Sequence, residues 1–243
     1  MYQDKYMLIT GASSDIGSEI VNYFASLGVN IIMTYFNNKG KTKNLECQIK
    51  DKYTVNADSY HLDLSSEDSV KKLFDEIKSK GIKINYLINN AGISLDSYLY
   101  DKTKEEFMNV LEVNVVGTFL MIKYFDELTD GFIFNMSSTD GIDTGSIYSI
   151  DYNASKAAIN MLTKTFSLES KNKIISICPN WIDNKTTRSM DEDYLKSELK
   201  RIRQDKLINI KTIPKVIDDC IKNNIPSGSI IRIEGDEDVR RVS

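Results

Sequence analysis

The chain is poor in histidine, proline and cysteine, with one, three and three of them among 243 residues. A single histidine, His61, excludes a histidine-rich metal site and any catalytic scheme built on two imidazoles, and beside the third apolar run it reads as a buried structural residue. Cys47, Cys178 and Cys220 form no C-x-x-C pair and are odd in number, which fits idle or buried thiols in a reducing cytoplasm better than a disulfide framework. No metal site is expected. No apolar run approaches the ~18–20 residues of a membrane span, and MYQDKYMLIT lacks the shape of a signal peptide. The expectation is a cytoplasmic protein with no membrane partner. A net charge of −4 leaves no general basic excess, so no nucleic-acid partner is expected either. Proline-rich linkers, repeats and low-complexity stretches are also absent, and the length fits one domain over 1–243.

What is present is alternation. Short apolar runs, MLIT (7–10), NIIMTY (30–35), YHLDL (60–64), YLINN (86–90), FIFNMS (132–137), KIISIC (173–178) and SIIRIE (229–234), read as strands buried on both faces. Between them lie helical patterns. Ile16, Ile20, Phe24 and Leu27 recur at helical spacing; Val70, Leu73, Phe74 and Ile77 follow a capping-box pattern at Ser65–Asp68; and a helix from about 152 to 169 carries Ala157, Ala158, Met161, Leu162 and Phe166 as its apolar positions. The alternation predicts an α/β fold: a single-domain, doubly wound, seven-stranded parallel sheet with helices on both faces. Ligands of such sheets sit beyond the carboxyl ends of the strands.

Five segments fall on or near that rim. TGASSDIG (10–17) turns from strand to helix, with Gly11 free to make the turn and Gly17 free to let helix approach strand. Its exposed N–H groups and helix dipole suit a phosphate. Asp15 is awkward for such contact and suits a helix cap, so this loop alone reads equally as a phosphate cradle or a capped turn. After the second run, no carboxylate stands near Tyr35 where NAD-type sites place one. Asn37, Asn38 and Lys39 suit a 2′-phosphate, favouring NADP over NAD, or form a solvated turn. YNASK sets Tyr152 and Lys156 on one helix face. An ammonium near a phenol favours the phenolate and lowers a pKa ordinarily near ~10, which makes a proton donor for a carbonyl; spacing alone equally fits two ordinary surface residues. Ser137 and Ser138 end the FIFNM strand, where a hydroxyl is placed to donate to a carbonyl oxygen, and INNAG (88–92) ends another in small residues.

Taken in order, TGASSDIG, NNAG, VNVVG, NMSS and YNASK resemble the short-chain dehydrogenase/reductase family in its compact form, over nearly the whole chain, with a flavour similar to 3-oxoacyl-carrier-protein reductases. The resemblance implies Tyr152 as general acid or base, with Lys156 on the nicotinamide ribose and lowering the tyrosine pKa. It implies Ser138 on the substrate oxygen, with Thr139 as the alternative by spacing, and Asn114 anchoring a proton relay. For the cofactor it implies Gly11, Ser13, Ser14, Asp15, Ile16 and Gly17 at the pyrophosphate, Asn37 and Lys39 at the adenosine ribose, and Asp63 and Leu64 at the adenine. Asn90, Ala91 and Gly92 would lie along the ribose, and Ile182 at the carboxamide. Departures from the family pattern are Asp15, Asn180, Asn184, Gly235-Asp236 and the extra residue between Ser138 and Tyr152. Residues 184–209 read as a charged lid or as a solvated helical pair; Asp140 and Asp143 place negative charge near the mouth, against an acidic substrate, while Arg188, Arg201 and Arg203 offer anion contacts that offset it, which leaves the charge of the substrate open.

The function expected is hydride transfer between NADP(H), with NAD possible, and a small carbonyl or alcohol substrate, possibly carried on a carrier protein. The alternatives are an NAD-linked sugar dehydrogenase and an idle dinucleotide sensor. A homotetramer or homodimer is implied, packing through the Tyr152 helix and the last strand.

Overall fold

The computed structural model describes residues 2–242. Ten strands and nine α-helices follow one another as β1 (Tyr6–Ile9), α1 (Asp15–Ser26), β2 (Asn30–Tyr35), α2 (Lys39–Lys52), β3 (Ala57–His61), α3 (Glu67–Ser79), β4 (Tyr86–Asn89), α4 (Lys104–Leu111), α5 (Gly117–Leu128), β5 (Phe132–Met136), α6 (Ile150–Phe166), β6 (Lys173–Pro179), β7 (Ile182–Asp183), α7 (Lys185–Arg188), α8 (Glu192–Arg201), β8 (Ile208–Asn209), α9 (Thr212–Lys222), β9 (Ile230–Ile233) and β10 (Val239–Val242). The main sheet runs β10-β9-β6-β5-β4-β1-β2-β3, and β7 pairs with β8 apart from it.

Seven of the eight main strands are parallel, as expected. The eighth corrects the expectation: β10 pairs antiparallel with β9 and forms the sheet edge. It is charged and short, with Arg240 and Arg241 exposed, which are the features that blunt an edge strand.

Strand alternation divides the core in two. Met7 and Ile9 face a layer with Phe24 of α1, Ile49 of α2 and Ile217 of α9. Leu8 faces Phe74 of α3 and Phe125 of α5 on the other side. Each such fully buried side chain contributes about 1.5–3 kcal/mol relative to an exposed one. The N-terminus is tied to this core by Asp218, buried on α9, which accepts from the Tyr2 and Tyr23 hydroxyls and from Lys222.

Three local expectations change. The cap of α3 is Ser66, accepting from the Ser69 N–H, rather than Ser65. His61 is exposed at the end of β3, its ring edge-on to Tyr35. On α6 the buried positions are largely polar, Asp151, Ser155, Lys156, Asn160 and Thr163 beside Ile159, whereas Met161 is 60 % exposed. A helix whose inward stripe is polar is serving a site more than a core.

Candidate active site

The β1–α1 loop is drawn tight by side chains from β4. Asn90 donates from Nδ2 to the carbonyls of Thr10 and Gly11 and to Ser14 Oγ, while Thr10 Oγ1 accepts from the N–H groups of Asn90 and Ala91. Gly11 has φ +63°, which favours glycine, and a Cβ there would press on Ala91 at 3.1 Å. A Cβ on Gly17 would run into the Gly11 carbonyl oxygen. The helix cap corrects the sequence expectation. Ser14, in extended backbone, accepts from the Gly17 N–H at 3.0 Å, so Ser14 is the N-cap. Asp15 is the first helical residue, and its carboxylate instead accepts from the backbone N–H of Lys185 at 2.8 Å, joining this loop to α7.

Beyond the strand ends lies a cleft of about 600 Å³. Of the expected cofactor residues, Gly11, Ser13, Ser14, Asn37, Asp63, Leu64, Asn90, Ala91 and Gly92 line it. Asp63 is held there by Ser65, whose N–H and hydroxyl both donate to its Oδ1. Ile16 and Gly17 lie in the first turn of α1, outside the lining, and Ile182 is a core residue of β7. Lys39 does not line the cleft; Lys41 does. The helix α2 starts at Lys39, and two positions along, the chain has turned Lys41 inward. The first turn of α2 holds no acid.

Of the catalytic candidates, Asn114 and Lys156 stand beside Gly92 of this cleft, and Ser138 and Tyr152 lie next to them, outside its lining. Asn114, fully buried, lies in a π-helical turn, Glu112–Val116, of the kind that often marks functional sites. Its Oδ1 accepts from the Ile93 N–H at 2.8 Å, and its Nδ2 donates to the Ile93 carbonyl at 2.9 Å and to Ser155 Oγ at 3.1 Å. Lys156, 4 % exposed, donates from Nζ to the Met136 carbonyl at 2.7 Å and lies 5.1 Å from the centre of the Tyr152 ring. A Cβ on Gly92 would come within 3.6 Å of that ammonium, so the lysine closes the end of the cleft where Gly92 opens it.

Electrostatics here differ from the expectation that Lys156 lowers the tyrosine pKa. Burial pushes the Tyr152 phenol well above its ordinary value, the negative charge of Asp140 adds to that, and the Ser138 hydroxyl opposes it. Lys156 is itself pushed down by burial, to about 8. Desolvation outweighs the ammonium, and the phenol holds its proton at neutral pH. Of Ser138 and Thr139, Ser138 faces the phenol, whereas Thr139 Oγ1 donates to Asn180 Oδ1 at 2.9 Å and accepts from Thr144, pointing away. Asn180 thus has a structural duty, as have Asn184, which caps α7, and Asp236, which accepts from Asn209 and Thr212.

Sequence reading missed one feature. Lys102 and Asp151 form an ion pair at 2.9 Å with side chains 3 % and 0 % exposed. Asp151 also accepts from the Tyr152 N–H at 2.9 Å, and Lys102 donates to the Leu95 carbonyl. The only signal available was an acid immediately before YNASK. Around this pair the 93–103 loop is stitched to the start of α6 by Asp96 with Ser149 at 2.8 Å and the Ser97 N–H with the Tyr148 carbonyl at 2.9 Å.

A parallel-sheet cleft with a glycine cradle, and beside it a serine, a tyrosine and a lysine, is the arrangement of a nicotinamide-dependent dehydrogenase or reductase. Comparison with known proteins is specific: the family model described as short chain dehydrogenase matches residues 5–195, and the chain belongs to that family. It is an NAD(P)-dependent oxidoreductase. It is 31% identical to a 3-oxoacyl-[acyl-carrier-protein] reductase of Aquifex aeolicus over 79% of each chain. It is 28% identical to the enzyme of that name from Thermotoga maritima, over 96% of this chain and 97% of that one. A crystal structure of a dehydrogenase/reductase from Sinorhizobium meliloti 1021 superposes with a TM-score of 0.88, covering 97% of this chain and 96% of the other at 21% identity, and so shares the fold. Among the described residues no helix is long and apolar enough to cross a membrane, and no group of three or more metal-ligating side chains occurs.

Proposed function

We propose that the protein is an NADP(H)-preferring carbonyl reductase or alcohol dehydrogenase in which Tyr152 is the proton donor. The observation that carries this reading is the half-buried Tyr152, its phenol held protonated with Ser138 facing it and the buried Lys156 behind it. The cleft fits the dinucleotide: glycines stand where a Cβ would fill the cradle, and free N–H groups begin α1. Gly11, Ser13 and Ser14 would hold the pyrophosphate, Asp63 and Leu64 the adenine, and Asn90, Ala91 and Gly92 the ribose. A bound nicotinamide dinucleotide supplies or accepts the hydride. The protein does the rest. Ser138 Oγ and the Tyr152 hydroxyl hold the substrate oxygen, and Tyr152 gives that oxygen its proton in reduction and takes it back in oxidation. Lys156 holds the ribose hydroxyls, and the Asn114 clamp on Ile93 and Ser155 keeps loop and helix in register.

Preference for NADP rests on Lys41, which faces the cleft without an acid partner, and on the acid-free stretch from Thr34 to Lys41. Assembly into a dimer or tetramer is supported by exposed apolar side chains on neighbouring helices, Phe119 of α5 and Met161 of α6; sedimentation as a monomer only would refute it. A cytoplasmic location fits the thiol usage. Turnover of a panel of ketones and aldehydes, acyl-carrier-linked ones included, with NADPH and NADH side by side tests the reading. Turnover favouring NADPH is expected, and tight dinucleotide binding without any turnover would sink it.

A further inference from the structure

Two aspartates follow Ser138, and the structure treats them differently. Asp143 has both oxygens on Arg232 Nη1 at 2.7 Å, so its charge is cancelled. Asp140 forms no ion pair among the described residues. It sits in the short turn Thr139–Gly141, its N–H donating to Ser138 Oγ at 3.1 Å. Its Oδ1 accepts from Thr144 Oγ1 at 2.9 Å. The Ser138 hydroxyl also lies within hydrogen-bonding reach of the carboxylate; Oδ2 takes no further hydrogen bond among the described residues and is not sealed from solvent. Arg201 of α8, whose field reaches Asp140, hydrogen-bonds Glu198 and the Thr144 carbonyl. Burial raises the Asp140 carboxyl above its ordinary value against the opposing Thr144, Ser138 and Arg201, and its field reaches the Tyr152 phenol.

The rest of the mouth has the same character. The field of Asp96, anchored by Ser94 and Ser149, also reaches Tyr152. The rings of Tyr98, Tyr148 and Tyr194 lie edge to face or tilted at 6.1 Å intervals, bridging the 93–103 loop to α8. Asp140, Asp96 and the tyrosine rings favour hydrogen-bond donors and cations over an anion, with Arg201, whose field reaches Asp140, tied to Glu198 and the Thr144 carbonyl.

We propose that Asp140 is a specificity-determining residue whose free oxygen takes a hydrogen bond from a hydroxyl or ammonium group beside the reacting carbonyl, so that the substrate is a hydroxyl- or amine-bearing ketone or aldehyde and a carboxylate-bearing one is refused. This rests on the carbonyl-reductase reading above. Asp140→Asn is the natural variant, because its amide oxygen still accepts from Thr144 while the free acceptor becomes a donor. Wild type and variant are assayed on four matched ketones whose neighbouring group is hydroxyl, ammonium, methyl or carboxylate. In the variant, kcat/KM falls about ten-fold or more for the hydroxyl and ammonium substrates, as expected for a lost hydrogen bond to a charged group. It changes little for methyl and rises for carboxylate. A larger loss for ammonium than for hydroxyl identifies a cationic substrate, and an equal loss a polyol. In the oxidation direction the activity of the variant also appears at lower pH, since one of the charges that raises Tyr152 is gone while Lys156, Asp96 and Cys178 remain. An unchanged ranking of the four substrates overturns the proposal with the carbonyl reading intact. If the variant does not fold, the ranking of the wild type decides: carboxylate at or above hydroxyl overturns it. Failure of the wild type to reduce any of the four, with Tyr152→Phe indistinguishable from it, overturns the carbonyl reading and this proposal together.

Discussion

The cofactor half and the substrate half of the cleft are built in opposite ways. At the cofactor end, strand ends, small residues and backbone groups make the surface, and the hydrogen bonds that fix it join residues of a few short motifs, chiefly Asn90 with Thr10, Gly11 and Ser14. At the substrate end, charged side chains from distant segments make it: Lys102 with Asp151, Arg232 with Asp143, Arg201 with the Thr144 carbonyl. A backbone cradle accepts one rigid ligand and is the same wherever that ligand is used. A wall of side-chain pairs is private to one chain and sets what that chain accepts.

The comparison breaks most visibly at the buried ion pair. Lys102→Met leaves Asp151 buried without its partner, and about 3–5 kcal/mol of stability should be lost, read as a shift in the urea midpoint. Lys102→Met with Asp151→Leu should recover most of it, because an apolar pair carries no stranded charge. A double variant as unstable as the single one would mean that the pair does more than neutralise itself.

The cradle should be less costly to damage in stability but more costly in binding. Gly17→Ala forces α1 away from the Gly11 carbonyl, at about 1–3 kcal/mol for overpacking, and dinucleotide titration should show weakened affinity while carbonyl selectivity is untouched. Lys41→Ala should weaken NADPH by about 2–5-fold, the worth of one solvent-exposed ion pair, and leave NADH unchanged; equal weakening of both would remove the 2′-phosphate role.

A further effect is one of pH. Lys156 in the fold has a pKa of about 8, below its ordinary 10.5. The unfolded chain therefore takes up this proton first as pH falls, so the stabilising contribution is full above ~10.5 and declines between there and about 8. Lys156→Met should flatten that slope relative to wild type in denaturant titrations across the range.

The same contrast explains what was legible in the sequence. Strands β1, β2, β4, β5, β6 and β9 and the glycine cradle follow from runs and motifs whose physics is local. The cap was expected at Asp15, because Ser13, Ser14 and Asp15 are all capable and only the three-dimensional turn selects Ser14, freeing Asp15 for Lys185 far along the chain. Lys41 was hidden by one detail, the helix start at Lys39, which sets which lysine faces inward. The Lys102–Asp151 pair joins segments that no periodicity relates. The edge strand β10 was not among the expected strands, since GDEDVRRV carries too little apolar pattern to announce one.

Tyr152 is where the two halves meet, and Tyr152→Phe measured for turnover and dinucleotide binding in the same preparation tests the account most directly. The account predicts a fall in kcat of about 10²–10⁴, the range of a positioned proton donor, with dinucleotide affinity preserved. Turnover equal to wild type with the dinucleotide still bound would contradict it.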